Sequence, residues 1–87
     1  MTRDEVFRAF ETNLRAQLAQ AGVANAGSLR ILGSSTPRDL GGHSLAIMEA
    51  INLTARQLRV DLPREDILRT RTIDDVLNVF ARALHLP

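Results

Sequence analysis

The sequence predicts an all-α fold: a four-helix bundle of three longer helices and a short third one, with a long loop between the first two. Three observations carry this expectation. Apolar residues recur at spacings of three and four in three separate segments, almost nothing alternates with the period of two that a strand requires, and all five glycines fall between residues 22 and 43. The chain has 87 residues, and independent domains usually need about 100 to 150, so one domain over residues 1–87 is expected.

Thr2 with Glu5 three residues on forms a capping-box pattern, in which hydroxyl and carboxylate satisfy orphan backbone donors, so helix one starts there. Phe7, Phe10, Leu14, Leu18 and Ala21 fall within an arc of about 80° of its wheel, Glu11 and Arg15 form an i,i+4 pair, and Gly22 stops it. Residues 22–43, with the glycines, Pro37 and the Ser34-Ser35-Thr36 cluster, read as a long loop with one short turn around Leu29 to Leu32. Loops of this length in small domains are usually functional. The second helix is expected from about Ser44 to Arg59 and carries two apolar stripes. Ile47, Ala50, Ile51, Thr54 and Leu58 make one; Leu45, Met48 and Ala55 lie beside it, toward Asn52, Arg56 and Arg59. A core needs one stripe, which leaves the other for exposure. Val60-Asp61-Leu62-Pro63 breaks the helix, and Arg64 to Leu68 suffices for a short third helix. Thr72 caps the fourth, whose Ile73, Val76, Leu77, Phe80 and Leu84 repeat at helical spacing, with Arg82 and His85 near its negative end.

Composition removes much chemistry. At 45% hydrophobic and 24% charged residues the chain can build a core and is too apolar for disorder. It has no cysteine, and all 11 basic residues are arginines. Cysteine nucleophiles, thiolate metal sites, disulfides, Schiff-base lysines and the Walker lysine are thereby excluded. The formal charge is +1, no basic run occurs, and the aromatics are three phenylalanines, which argues against nucleic acid as a partner. Charged residues from Arg3 onward leave no signal-peptide pattern, and no apolar run approaches the roughly 18 residues of a membrane span. A cytoplasmic protein without membrane contact is expected.

The residues with chemical interest stand where the long loop meets helix two: Asp39-Leu40-Gly41-Gly42-His43-Ser44-Leu45. A serine at a helix start is ordinarily an N-cap. Here two glycines clear its approach, a bulky apolar residue follows, and the loop mouth leaves the hydroxyl accessible to another protein. A phosphate on Ser44 would lie beside unpaired backbone N–H groups and the positive end of the helix. His43 beside Ser44 raises base-assisted catalysis, and Gly42-His43-Ser44-Leu45-Ala46 is similar to the hydrolase elbow Gly-x-Ser-x-Gly. That elbow needs a preceding strand in a large sheet, and nothing here reads as one, so His43 is placed at the surface flanking the serine. Asp39, Asp66, Asp74 and Asp75 match no metal-ligand spacing; Asp74 and Asp75 favour the start of helix four, and His85 reads as a solvated residue at its end.

The run Leu40-Gly41-Gly42-His43-Ser44-Leu45 resembles the thiolation motif of peptidyl carrier proteins, within the acyl-carrier-like, phosphopantetheine-binding family. Leu62-Pro63, the pair Ile67-Leu68, and Thr72-Ile73 opening the last helix are similar to that family's downstream pattern, so the resemblance covers roughly residues 3 to 84. It implies an acyl-carrier-type bundle without catalysis of its own. Ser44 would receive a 4'-phosphopantetheine arm from coenzyme A through a phosphopantetheinyl transferase that uses its own Mg²⁺. The arm's thiol would hold an aminoacyl or acyl group as a thioester in nonribosomal peptide or related natural-product biosynthesis. The implied partners are the transferase, an adenylation or other acyl-loading enzyme, and condensation or tailoring enzymes. Leu40, Gly41, Gly42, His43, Leu45, Met48 and Asn52 would be the contact residues. A free-standing monomer loaded in trans is expected.

The chain departs from the family pattern in places. Ser35, Thr36, Pro37 and Arg38 stand where an acidic residue and paired aromatics are common. Arg71 replaces a proline before helix four, and Arg64 an apolar residue after Leu62-Pro63. Fatty-acid-type carriers are strongly acidic with Asp before the serine; His43, Arg56 and Arg59 point to the peptidyl branch. Two alternatives stay open: an acyl carrier of a polyketide or fatty-acid-like pathway, and an unmodified helical module that binds a protein through Leu45 and Met48.

Overall fold

The structure, a computed structural model, describes residues 1–87. Four helices follow in order, α1 (Arg3–Gln20), α2 (Ser44–Leu58), α3 (Arg64–Leu68) and α4 (Ile73–Ala83), with no strand. None is long and apolar enough to cross a membrane. The Thr2/Glu5 capping box opens α1 as the sequence indicates. Its buried residues are Val6, Phe10, Leu14 and Leu18, a ridge spaced strictly at four that packs mainly on α2. That ridge corrects the expected face at both ends: Val6 takes the core position, Phe7 is half-buried at its flank, and Ala21 is exposed beyond the last turn. Gly22, at φ +95°, closes α1, its amide reaching Ala19 O and that of Val23 reaching Leu18 O.

On α2, Ala46, Ile47, Ala50, Ile51 and Thr54 are buried while Leu45 and Met48 are exposed, so the two stripes do face different surroundings. Thr54 is wholly buried and fully satisfied: it donates to Ala50 O at 2.7 Å and accepts from Asn13 Nδ2 at 2.9 Å. Asn13 also donates to Gln57, which fixes α1 and α2 in register. The helix ends at Leu58, one residue before the expected Arg59, because Arg59 turns left-handed (φ +53°) and the Val60 amide closes onto Ala55 O. On α3 only Ile67 is buried, and Leu68 stays exposed, since a helix of five residues has one side to offer the core.

The loop between α1 and α2 is tied down at three places. The expected single turn at Leu29 to Leu32 is absent; the loop turns instead over Val23 to Leu29, where the Asn25 carbonyl accepts from the amides of Ser28 and Leu29, over Leu32 to Ser35, and again just before α2. Arg15 bridges to the first of these turns, bonding Glu11 with one nitrogen and the carbonyls of Ala26 (2.9 Å) and Leu29 (2.7 Å) with the other. Farther along, Ser35 O and Gly33 O accept from the amides of Ile73 (3.1 Å) and Asp74 (2.8 Å). The loop thus satisfies the first two orphan donors of α4, and Thr72 Oγ1 accepts from the third, Asp75. A Cβ at Gly33 would meet the Asp74 carboxylate, an exposed side chain that would then have to swing aside.

Asp75 completes the α4 cap by accepting from the amides of Arg71 (2.9 Å) and Thr72 (3.1 Å). Those bonds, the Arg71 one foremost, hold its carboxyl below the ordinary aspartate range. The stabilisation is therefore complete above the unfolded-chain pKa of about 3.9 and is lost as pH falls through the lower native value. Thermal unfolding followed from about pH 6 to about pH 2 is expected to show Asp75→Asn losing less stability than wild type below about pH 4. Parallel curves would remove the cap from the acid response.

Candidate functional site

The approach to α2 is a compact turn. Asp39 Oδ2 accepts from the Thr36 amide at 3.0 Å and hydroxyl at 3.1 Å, while Thr36 Oγ1 accepts from the Asp39 amide at 3.3 Å. This reciprocal cap starts a single helical turn over Pro37 to Leu40. The turn ends as helices do, with Gly41 bonding Arg38 O at 3.1 Å and Gly42 bonding Pro37 O at 2.7 Å. Gly41 (φ +91°) and Gly42 (φ +77°) are both left-handed, a pair of conformations that residues with side chains adopt only under strain. They reverse the chain into His43 and Ser44, so the glycines clear the approach and also steer the backbone.

His43, not Ser44, occupies the N-cap position, and no side-chain bond caps the helix. Ser44 is the first helical residue, exposed, with its hydroxyl free of intramolecular bonds. The first amide with a backbone partner is that of Ile47, to His43 O at 3.2 Å, which leaves those of Ser44, Leu45 and Ala46 open. The other helix starts are compensated differently. α1 and α4 have capping boxes, and α1, α3 and α4 all carry acids in the first turn; α2 has neither. The one uncompensated positive helix end lies at Ser44, where covalently attached phosphate oxygens would find donors and a favourable field. His43 is half-buried with its ring against Gly41, and there is no strand for an elbow.

The family model for the phosphopantetheine attachment site matches residues 21–80. The chain belongs to that family. Phosphopantetheine attachment domains carry a 4'-phosphopantetheine group, and the matched span holds the loop, α2, α3 and most of α4. No curated protein and no solved structure matches the chain.

Of the residues singled out in the sequence around this family's motif, Gly41, Gly42, Leu45, Met48 and Asn52 are exposed around or along α2 from Ser44, Leu45 at 74%. Leu40 is the correction. It is 1% exposed and borders a partly open crevice of about 30 Å³ with Ile47, Ile73 and Val76, so it is a core residue and no contact residue. The turn closing at Gly41 points its last side chain inward. Three participants went unread in the sequence: Thr36, whose signal is its spacing from Asp39; Arg15, which looked like half of a surface pair; and the groove wall that Leu68 and Arg64 give α3.

Proposed function

We propose that Ser44 carries the 4'-phosphopantetheine arm and that the chain shuttles an aminoacyl or acyl group between enzymes of nonribosomal peptide or related natural-product synthesis. The observation that carries this reading is the free, exposed hydroxyl at the only helix start lacking both a side-chain cap and a first-turn acid. Bound there, the arm supplies the thiol that holds cargo as a thioester, a group this cysteine-free chain does not have. The chain's own contributions are positional. Gly41 and Gly42 bring the backbone round so that Ser44 Oγ projects outward, and the open amides of the first turn accept the negative charge that attachment brings. No side chain of cysteine or lysine is present to intercept an activated acyl group.

His43 before the serine, Arg56 and Arg59 on the helix-two side, and a formal charge of +1 support a peptidyl carrier over a strongly acidic fatty-acid type. The partners are then a phosphopantetheinyl transferase, an adenylation or other loading enzyme, and a condensation or tailoring enzyme, engaging one 1–87 domain as a monomer. Incubation with coenzyme A, Mg²⁺ and a promiscuous transferase is expected to raise the intact mass by one phosphopantetheinyl group. Failure with several transferases would sink the reading.

Leu45 and Met48 sit on the first turn and the next of α2, where an enzyme reaching Ser44 must touch them. Met48→Glu is expected to slow modification about tenfold, the equivalent of about 1.4 kcal/mol of lost docking, while leaving helicity unchanged. An unfolded variant would assign Met48 to the core instead.

A further inference from the structure

Beside the Ser44 face, α2 and α3 diverge around an open groove of about 690 Å³. Its apolar residues are Met48, Ile51 and Ala55 from α2, Leu62 from the connection, and Ile67 and Leu68 from α3, interleaved with polar and charged side chains. Leu68 is 67% exposed, a large apolar side chain left in water. Arg56 from the last turn of α2 and Arg64 from the start of α3 also line it, against one acid, Asp61. Neither arginine is ion-paired within the chain, whose one salt bridge joins Arg15 to Glu11.

We propose that this groove receives an acidic, amphipathic segment of a partner enzyme, its apolar side chains on the groove wall and its carboxylates on Arg56 and Arg64. That the partner is an enzyme serving Ser44 rests on the carrier reading above. Guanidinium forks match carboxylates bidentately, and apolar residues between them suit a helix with apolar residues at i, i+3, i+4 and i+7 and acids along its edge. Nucleic acid fits poorly, because no aromatic residue lines the groove for a base to stack on. Met48 is one helical turn from Ser44, so a segment seated here would place its enzyme beside the arm. The surface thus selects partners of the charge opposite to those that an acidic carrier attracts.

The test uses the ¹⁵N-labelled full chain and two synthetic helical peptides with leucine at i, i+3, i+4 and i+7, one flanked by glutamates and its twin by lysines. The glutamate peptide is expected to shift the amides of Asn52, Arg56, Leu62 and Leu68, and to bind about tenfold more weakly in about 0.5 M salt. The doubly substituted R56E/R64E protein should lose about tenfold or more for that peptide and gain the lysine twin. R56Q/R64Q should lose the preference without reversing it, which separates charge from any disturbance of the fold. Equal binding of both peptides to wild type, shifts away from the groove, or unchanged preference in R56E/R64E would overturn the proposal. So would groove shifts that depend on protein concentration alone, which would assign the face to a second copy of the chain. Mass analysis of transferase-treated wild type is a separate readout: an unmodified Ser44 with the peptide preference intact sinks the carrier reading and spares the acidic-segment preference, and the converse sinks only the latter.

Discussion

Ser44→Ala is expected to abolish attachment of the arm completely while leaving the free energy of unfolding within about 0.5 kcal/mol of wild type. The pairing of a total effect on modification with almost none on stability follows from where the hydroxyl stands. A serine that capped α2 would accept a bond from an amide two or three residues on, and its loss would cost about 1 kcal/mol. Here the N-cap is His43, Ser44 is already helical, and its hydroxyl bonds to nothing in the chain. Alanine is also the better helix former at that position. Thr72→Ala supplies the internal reference, because its hydroxyl does accept from the Asp75 amide at 3.2 Å, and about 1 kcal/mol should be lost with it. Urea unfolding of the three proteins, with intact mass after transferase treatment, reads both quantities. A Ser44→Ala protein as destabilised as Thr72→Ala would return the serine to a capping role, and a surviving mass gain would put the attachment on another residue.

The same contrast explains how much was legible in the sequence. Helix starts at Thr2 and Thr72 and the break at Leu62-Pro63 are local chemistry, so spacing alone places them. The exposed stripe of α2 was also legible, because Leu45 and Met48 are more apolar surface than a helix with one buried side requires. What a wheel cannot give is the choice between neighbours at the edge of a face. Val6 won over Phe7 because the α1 ridge advances by four residues along α2, and that crossing is a property of two helices together. The loop was least legible for the same reason. Its anchors, Arg15 on the Ala26 and Leu29 carbonyls and the α4 amides on Ser35 and Gly33, join residues far apart in the chain. A backbone carbonyl that accepts such a bond leaves no mark in residue type. Leu40 enters the contact set only as a member of the motif around Ser44, and motif membership does not say which side chains of a turn point inward.

Leu40→Ala is expected to destabilise the protein by roughly 3 kcal/mol, within the 2 to 5 typical of buried leucines, which is a large share of the roughly 5 to 15 available to a small domain. Leu40 is 1% exposed and borders a partly open crevice of about 30 Å³ between the loop, Ile47, Val76 and the start of α4. Truncation would strip packing from Ile47, Ile73 and Val76, which are themselves buried. The effect should then spread in a set direction. Leu40 is the last residue of the capped turn before the left-handed glycines, and freeing it releases Gly41 and Gly42 from the geometry that presents Ser44. Hydrogen exchange is expected to accelerate over residues 33–43 before it does in α1, and the rate of phosphopantetheinylation to fall even where the variant remains folded. Leu40→Met, which keeps the volume, should cost under about 1.5 kcal/mol and restore most of that rate. A surface contact would behave in the opposite way, losing rate at unchanged stability. An Ala variant within about 1 kcal/mol of wild type would therefore return Leu40 to the contact surface, whereas stability and rate falling together fix it as the anchor that holds the loop in place for Ser44.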